Sequence, residues 1–372
     1  MNKIIRNIVI VITIAVMCAG LTFPAQAFAM TDGQLDARAK EIVSGMSLYE
    51  KVNQMMIVKM PEKRIVDIAK KNRYGGYILF GYNFQNTKKS TMIKTIKKCQ
   101  KVSKINMLMC VDEEGGTVVR ASLYRHFRKS RFRSPRQVYR SGGYKGIARD
   151  TKTKDKFLKS IGLNCNFAPV ADVPYKSSNF IYQRGFSKSA AGTSKFIAIT
   201  IKQMKKDKVV SCMKHFPGYG GNGDTHGQII RDKRPKSTFK KRDLRPFQKG
   251  VDKGADMIMV SHIIVNAFDR KRPASLSKNV HKYLRHEMGF EGVIICDGLG
   301  MEGVRKFVGG NTAKAAVKAV QAGNDMLCVT SSRVDCQRAI RKAVKDGKIS
   351  RKQIDRSVTR IIKMKLKRGI IK

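Results

Sequence analysis

Short apolar runs alternate with longer amphipathic, lysine-rich segments along most of this chain. Runs of this length are typical of buried strands, and the intervals between them leave room for helices. The eight runs are Met55–Val58, Gly76–Phe80, Met107–Val111, Cys165–Pro169, Val209–Met213, Met257–Val260, Gly292–Cys296 and Asp325–Val329.

Helical spacing of apolar positions fills most of the intervals, and Ser47–Glu50 resembles a capped helix start. The predicted helices are Gln34–Tyr49, Thr87–Ser103, Ala191–Asp207, Arg242–Lys253, Thr312–Ala322, Asp335–Lys345 and Lys352–Lys367. Strands that alternate with helices in this way predict an α/β fold, a single-domain (β/α)8 TIM-like barrel over residues 31–372. A doubly wound open sheet is the alternative, but no GxGxxG motif follows the first strand.

Residues 1–30 are set apart from the barrel and are predicted to be a secretory signal peptide. Basic residues precede the apolar run Ile8–Met17, which is too short to cross a bilayer, and Ala25–Ala27 offers a small-x-small cleavage site. A lipoprotein anchor at Cys18 is less favoured, because Met17 is larger than the residue usual before such a cysteine. Since no later segment has the length of a transmembrane span, we expect a secreted or cell-envelope-associated protein.

The charge balance is strongly basic, with 76 Lys and Arg against 27 Asp and Glu, a formal net charge of +49. Such a charge attracts polyanions in general, including nucleic acid, anionic lipid and acidic wall polymers. The basic residues are spread along the chain, without an arginine-rich tail or an aromatic-interleaved nucleic-acid motif. We therefore expect contact with anionic cell-wall polymers and no specific recognition of nucleic acid.

Seven cysteines follow the predicted signal peptide, and five of them lie in the apolar runs. No CxxC pair and no Cys/His metal spacing is present, so buried free thiols are the expectation.

The stretch Ser211–His226 combines features that are typical of a catalytic loop on a rigid base. An apolar run ends on Lys214-His215, four glycines follow within six positions, and Asp224-Thr225-His226 closes the stretch. A flexible surface loop would have a similar composition, so this stretch alone does not decide between a catalytic loop and a surface loop.

Other predicted strands also end on ionisable residues, which favours the interpretation of this stretch as a catalytic loop. The carboxyl ends of the strands of such a barrel meet at one rim, where active sites lie. Ionisable side chains that converge there would be costly without a polar ligand to bind. The residues at or just after these ends are Asp112, Asp172, Lys214, His215, His262 and Asp297.

Four sequence blocks resemble the signature blocks of glycoside hydrolase family 3. They are DEEGG from Asp112 with Arg120 after it, NFAPVADV from Asn166, KHFPGYG from Lys214 with the later Asp-Thr-His, and ICDGLGM from Ile295. The blocks occur in the family's order across nearly the whole predicted barrel, and the nearest likeness is to bacterial β-N-acetylglucosaminidases (β-N-acetylhexosaminidases).

The resemblance implies a role for three residues in the chemistry. Asp297 matches the nucleophile, which would form a glycosyl-enzyme intermediate. His226 matches the general acid/base, and Asp224 would orient its imidazole, whose ordinary pKa near neutrality suits both proton donation and acceptance. Larger relatives take an acid from an additional C-terminal domain, whereas this chain ends soon after its final helices, so we expect the barrel to supply its own.

The resemblance also implies a set of residues that hold the sugar. These substrate-binding candidates are Asp112, Arg120, Arg184, Lys214, His215, Asp172 and His262, of which the last two could instead orient their neighbours. One of Glu113 and Glu114 is expected to be a structural, ion-paired acid.

The sequence departs from the family pattern in the glycine loop. Tyr219 stands where many relatives carry a histidine, and Gly221–Gly223 separates the KHFPGYG block from Asp224. We expect this loop to close over the bound sugar, so stiffening Gly220 and Gly221 should lower turnover.

The sequence therefore predicts a secreted, retaining exo-β-N-acetylglucosaminidase that acts on GlcNAc-containing glycans or muropeptides, without metal or organic cofactor. The alternatives are a β-glucosidase-like or phosphorolytic enzyme of the same family, and non-catalytic binding to an anionic envelope. The joint presence of Asp297, Asp224 and His226 argues against the last of these, because binding by charge alone requires none of them.

Overall fold

A computed structural model describes residues 30–225 and 227–372 of the chain. The predicted signal peptide, apart from residue 30, and the lipoprotein alternative at Cys18 lie outside the described residues, as does the acid/base candidate His226. Those three expectations therefore stay predictions from the sequence.

Eight parallel strands close into a barrel, which confirms the predicted (β/α)8 architecture. In chain order the strands are β1 Met56–Lys59, β2 Gly76–Leu79, β3 Leu108–Val111, β4 Cys165–Asn166, β5 Val210–Phe216, β6 Arg231–Asp232, β7 Met257–Val260, β8 Ile264–Val265, β9 Val293–Cys296 and β10 Met326–Val329. Each predicted apolar run contributes one barrel strand, whereas β6 and β8 pair with each other outside the barrel and were not predicted.

Two strand boundaries differ from the prediction near proline. Strand β4 ends at Asn166 rather than at Pro169, although the carbonyls of Ala168 and Pro169 still accept N–H groups from β5 at 2.9 and 3.2 Å. Pro169 has no N–H of its own to donate. Strand β5 continues through Lys214 and His215 to Phe216, so both polar residues are part of the strand and Pro217 follows it. The β5 side chains that face the barrel interior are therefore held by strand pairing up to the rim.

Helices surround the barrel and connect its strands. They are α1 Asp32–Ser44, α2 Leu48–Gln54, α3 Ile65–Asn72, α4 Gly81–Gln85, α5 Lys89–Val102, α6 Pro135–Ser160, α7 Ala190–Asp207, α8 Lys236–Thr238, α9 Leu244–Asp252, α10 Lys278–Lys282, α11 Glu302–Phe307, α12 Thr312–Ala322, α13 Arg333–Lys345 and α14 Arg351–Lys367. Short π-helical turns follow α8 and α10, and a 3₁₀ turn spans Ala274–Leu276. None of the helices in the described ranges has both the length and the apolarity of a membrane span.

The prediction of a single helix over Gln34–Tyr49 is wrong, because two helices meet there. The capped start identified in the sequence is real: Ser47 Oγ accepts the N–H of Glu50, and the Glu50 carboxylate accepts the N–H of Ser47 at 2.9 Å. This reciprocal capping starts a new helix at Leu48 and therefore ends the preceding one before it.

The barrel interior shows why polar residues appear at the strand ends. Side chains alternate along a strand, so Cys110 and Asp112 face the same side, as do Cys212 and Lys214. The cysteines are fully buried in the core, and the polar residues lie one step nearer the rim. All seven cysteines of the described residues are free and buried, as expected, and burial raises the pKa of the Cys110 thiol.

A candidate active site at the carboxyl ends of the strands

A cavity of about 800 Å³ opens at the carboxyl ends of the barrel strands. Of the nine predicted site residues that the structure describes, seven line it together. They are Asp112, Arg120, Arg184, Lys214, His215, Asp224 and Asp297.

Asp297 directly follows β9 and is partly exposed to the cavity. Its backbone N–H donates to the carbonyl of Val260 at 3.0 Å, which continues the barrel ladder by one residue, and the N–H of Gly298 donates to Oδ1 at 2.8 Å. Burial acts to raise the pKa of this carboxyl, but the electrostatic influence of His215 and His262 and the Gly298 N–H outweigh it, so the pKa lies below its ordinary value. Asp297 is therefore held as a carboxylate in a fixed position on the cavity wall.

Lys214 is the most deeply buried charge of the cavity wall, with 2% of its side chain exposed. Its Nζ lies 2.7 Å from Asp112 Oδ1 and 2.6 Å from Glu114 Oε1, so one ammonium joins two acids from the end of β3. Burial alone would lower the pKa of Lys214, but these two carboxylates raise it above its ordinary value. The lysine therefore remains charged at the floor of the cavity.

Arg184 completes this network from the loop after β4. It binds Glu114 with two hydrogen bonds, Nε to Oε2 at 2.9 Å and Nη2 to Oε1 at 2.7 Å. Burial opposes ionisation of Glu114, but Arg184 and Lys214 lower the pKa of its carboxyl well below the ordinary value. Glu114 is the ion-paired structural acid that the sequence anticipated, and it holds two cations at the cavity wall.

Glu113, its neighbour, faces the opposite way and holds the following loop. Its carboxylate accepts the N–H groups of Arg120 at 3.0 Å and Ala121 at 2.9 Å, and the hydroxyl of Ser122. This places the Arg120 side chain beside the cavity, with Nη2 3.9 Å from Asp112 Oδ2.

His215 is oriented from behind by Asp172. The carboxylate of Asp172 accepts the backbone N–H of His215 at 3.0 Å and lies 2.7 Å from its ring Nδ1. Arg184 Nη2 lies 3.2 Å from Nε2, and since a guanidinium can only donate, the ring proton belongs on Nδ1. The imidazole edge at the cavity therefore has one fixed orientation.

Two residues predicted to touch the sugar, Asp172 and His262, do not line the cavity. Asp172 is completely buried, and its other oxygen accepts the N–H of Tyr219 at 2.7 Å. The ring of His262 is also completely buried, with Nδ1 2.7 Å from Ser275 Oγ and Nε2 3.1 Å from the Gly298 carbonyl. Of the two roles that the sequence left open for them, their placement fits positioning of the neighbouring wall residues rather than sugar contact.

The glycine loop after β5 is held by buried side chains. Tyr219 Oη lies 2.6 Å from Thr225 Oγ1, and both side chains are buried. Arg234 lies under the loop, where it binds Asp232, donates to Asp243 Oδ2 at 2.8 Å and reaches the Gly218 carbonyl at 3.3 Å. Asp224 lies on the cavity wall at the end of this loop.

Helix α11 anchors the loop on both sides of position 226. The N–H of Gly303 donates to the carbonyl of Thr225 at 3.2 Å, and Lys306 Nζ donates to that of Gly227 at 3.1 Å. Because α11 follows Asp297 in the chain, these bonds tie the loop of Asp224 to the segment of Asp297. His226 itself lies outside the described residues, so its predicted role is untested.

Several cavity residues were not anticipated from the sequence. These lining residues are Ile78, Phe80, Thr117, Val118, Phe167, Phe180, Gln183, Tyr219, Met259, Gly298, Gly300, Met301, Glu302, Cys328 and Thr330. Most of them are apolar or lie in loops without a strand-end position, so neither pattern used for the charged residues could identify them. They give the cavity the mixed apolar and polar wall typical of small-molecule sites.

The arrangement suits polar chemistry on a neutral, hydroxyl-rich ligand. A carboxylate with a lowered pKa stands on one part of the wall, and Asp224 stands on another. The same cavity is lined by charged groups that can donate to or accept from hydroxyls.

Comparison with known proteins agrees with this picture. The family model described as "Glycosyl hydrolase family 3 N terminal domain" matches residues 47–364. The β-hexosaminidase A of Pseudoalteromonas piscicida is 29% identical over 320 residues, which cover 79% of this chain but 53% of that protein. The β-hexosaminidase of Tolumonas auensis is 32% identical over 276 residues, covering 72% of this chain and 78% of that protein.

A solved structure shows the same architecture. The glycoside hydrolase family 3 β-N-acetylglucosaminidase from Paenibacillus sp. superimposes on this structure with a TM-score of 0.81 at 26% sequence identity. The superposition covers 88% of this chain and 63% of the Paenibacillus chain. The chain thus spans about half to two thirds of the length of two of these three proteins. The family match covers most of the chain and includes all four sequence blocks and the cavity they form, and the chain belongs to glycosyl hydrolase family 3 through the N-terminal domain of that family.

Proposed function

We propose that this protein is a retaining exo-β-N-acetylglucosaminidase that hydrolyses terminal non-reducing β-GlcNAc. The observation that carries the proposal is that Asp297, with its lowered pKa, and Asp224 line one sugar-sized cavity. The names of the relatives, β-hexosaminidase and β-N-acetylglucosaminidase, support β-GlcNAc as the sugar that is released.

In the first step, the Asp297 carboxylate attacks the anomeric carbon and the glycosidic C–O bond breaks. His226 gives its proton to the leaving oxygen at the same time, and Asp224 stabilises the imidazolium before the transfer. In the second step, His226 takes a proton from water, which attacks the anomeric carbon and releases Asp297.

The charged network at the floor would hold the sugar while this happens. Lys214 and Arg184 are already fixed by Glu114, so they can donate to hydroxyls without losing much side-chain freedom. The Asp112 carboxylate, of which 17% is exposed, can accept from a hydroxyl while it stays paired with Lys214.

Secretion and a peptidoglycan-fragment substrate are further parts of the proposal. They are supported by the sequence features of residues 1–30 and by the resemblance stated above. A GlcNAc-containing wall fragment would meet an exported enzyme outside the cytoplasm.

The test uses a chromogenic aryl β-N-acetylglucosaminide beside the corresponding β-glucoside. We expect release of aryl alcohol from the first at a kcat/KM at least about tenfold that for the second, which corresponds to about 1.4 kcal/mol of discrimination. Asp297→Ala should abolish turnover of both while the protein still binds GlcNAc. Preference for the glucoside, or GlcNAc 1-phosphate as the main product in phosphate buffer, would contradict the proposed hydrolase.

A further inference from the structure

Two neighbouring helices on the side of the barrel carry a regular series of exposed basic residues. On α6 these are Lys145, Arg149, Lys152, Lys156 and Lys159, and on α7 they are Lys195, Lys202 and Lys206. We refer to these eight residues as the basic ladder. All eight are exposed.

The spacing places each series along one face of its helix. The α6 residues follow one another at intervals of three or four positions, so their side chains form a straight row with a step of about 5 Å. The opposite face of the same helix packs on the barrel through Ile147, Thr151 and Leu158. The row is therefore fixed in direction by the burial of the other face.

Contacts at both ends bring the two rows together into one surface. Near the start of α6, Lys195 Nζ lies 4.3 Å from the ring centroid of Tyr144. At the other end, Lys159 Nζ donates to the backbone carbonyl of Asp207 at 3.0 Å. Because α6 and α7 also pack side by side, the eight cations face the same solvent region.

The fold itself does not neutralise these charges. Among the described residues, none of the eight forms an ion pair with an acid. Of the acids on the two helices, Asp150 pairs with Lys154, Asp155 is buried and Asp207 accepts from Gln203.

Three cations in the second half of the C-terminal helix α14 show the contrasting case. Its Lys363 and Lys367 bind Asp32 on α1, and Arg360 binds Asp325, so these cations hold helices and strands of the fold together. Apart from Lys159 and Lys195, whose contacts join the two helices, the ladder cations have no such role among the described residues, so they remain available to an anionic partner.

We infer that the basic ladder is a docking surface for a linear polyanion, and specifically for a polyol-phosphate chain. A row of single charges on an open face matches a polymer that repeats one phosphodiester per unit, whereas a discrete anion would need a pocket. Proteins that bind single-stranded nucleic acid stack the bases on exposed aromatic rings, and residues 145–159 and 195–206 contain no exposed aromatic residue. A secreted protein of this charge would then be retained where such polymers occur.

The location of the ladder relates it to the cavity without involving it in the reaction. Helix α6 follows the loop that carries Thr117, Val118 and Arg120 on the cavity wall, and it runs from there down the side of the barrel. A polymer along α6 and α7 would leave the cavity open and keep it near the polymer surface. The inference does not depend on the proposed glycosidase activity.

Two variants with equal loss of charge test this inference. The ladder variant carries Lys145→Gln, Arg149→Gln, Lys152→Gln, Lys156→Gln and Lys202→Gln. The control variant carries Arg338→Gln, Lys345→Gln, Arg351→Gln, Lys352→Gln and Arg356→Gln, which are also exposed helical positions without an ion pair among the described residues. Glutamine keeps a good helix propensity in both.

Binding of labelled poly(glycerol phosphate) is measured by fluorescence anisotropy at several salt concentrations. We expect at least a tenfold loss of affinity in the ladder variant with a shallower dependence on salt, and a change of no more than about twofold in the control. An equal loss in both variants would overturn the inference, because binding would then follow net charge alone.

Two further measurements separate the remaining explanations. Single-stranded DNA with the same number of phosphates should bind more weakly than the polyol-phosphate chain, and tighter binding through the ladder would overturn the choice of partner. Thermal unfolding should show the same midpoint in all three proteins, and a large drop in the ladder variant would mean that the ladder is structural. These readouts need no enzymatic activity, so they stand apart from the test of function.

Discussion

The strand ends and the glycine loop contribute to the same cavity, but they are held in place in different ways. Lys214 and His215 belong to β5, and Asp297 follows β9, so the barrel ladder fixes their backbone. Asp224 lies on a segment without regular structure, which side-chain contacts from Tyr219 and Arg234 hold in place. The strand-end side therefore depends on buried charge pairs that line the cavity. The loop side depends on hydrogen bonds within the loop and on Arg234 beneath it, which is itself paired with the buried Asp232 and Asp243. A substitution within the loop itself therefore removes hydrogen bonds rather than a charge pair.

This difference predicts different costs for substitutions on the two sides. Loss of a buried partner leaves the other charge unpaired, which costs several kcal/mol, whereas loss of one neutral hydrogen bond costs about 1 kcal/mol. The loop side should thus tolerate change better than the strand ends, although both touch the same ligand.

Lys214→Met should have the largest effect. It removes the ammonium between Asp112 and Glu114 and leaves two carboxylates close together in a buried place, at a cost of roughly 3–5 kcal/mol. We expect a thermal midpoint lower by several degrees and a kcat/KM reduced by at least about 100-fold. A variant with near-native activity would show that the network at the floor does not position the substrate.

Gly220→Ala should have a smaller effect that is confined to the loop. Gly220 has φ +56°, and an added Cβ would lie 2.5 Å from Arg234 Nη1, so both the backbone and the arginine under the loop would be strained. We expect kcat to fall about tenfold and the thermal midpoint to drop by a few degrees.

Gly221→Ala is the matched control for that change. Its Cβ would lie no closer than 3.5 Å to Tyr175, and its φ is not in the left-handed region, so activity should stay within about twofold of the wild type. The sequence treated these two glycines alike, and equal losses in both variants would support that simpler view over the packing described above.

Tyr219→Phe should reduce kcat about fivefold and leave KM unchanged. It removes the hydroxyl that meets Thr225 at 2.6 Å, a net loss of about 1 kcal/mol, without altering the strand-end residues. In the Thr225→Val background the same change should have almost no effect, because the bond is already lost. Additive effects in this double-mutant cycle would mean that the bond does not position Asp224.

Lys365→Met should have the smallest effect on catalysis, since this buried lysine lies away from the cavity. Its Nζ donates to Gln54 Oε1 at 2.9 Å and to the Gly75 carbonyl at 3.0 Å, and burial lowers the pKa of its ammonium to about 7. Between that pH and its ordinary pKa of 10.5 the unfolded chain holds the proton and the folded chain does not, so wild-type stability rises with pH.

The Lys365→Met variant should lose that pH dependence and keep its kcat/KM, whereas Lys214→Met should lose its activity. Thermal midpoints at pH 7 and pH 9.5 and one kinetic assay give both results. An activity loss as large as that of Lys214→Met would mean that any buried lysine, not only one at the cavity, supports the reaction.

The strand-end half of the site was predictable from sequence, and the loop half mostly was not. Apolar runs that end on Asp112, Lys214 or Asp297 place those residues on one rim, because barrel closure leaves them no other place. The same pattern cannot tell a residue in contact with the cavity from one behind it, which is why the sequence left both roles open for Asp172 and His262.

The loop half of the site depends on contacts between residues that are far apart in the chain. Nothing near Gly220 indicates that Arg234 lies beneath it, and the bond from Gly303 to Thr225 spans 78 positions. Such contacts follow from packing of complete helices rather than from local spacing. The capped helix start at Ser47 was visible because its four residues are adjacent, although the helix before it was extended too far.

The most direct test of the account uses His226→Ala with an activated aryl β-N-acetylglucosaminide. Such a leaving group needs no proton, so Asp297 should still be glycosylated, while hydrolysis of the glycosyl-enzyme should slow without the base. Mass spectrometry should then show one N-acetylhexosaminyl group on the intact protein, located on the peptide that contains Asp297. An unmodified protein during slow turnover, or the sugar on another residue, would contradict the assignment of Asp297 and the loop of Asp224 to a single reaction.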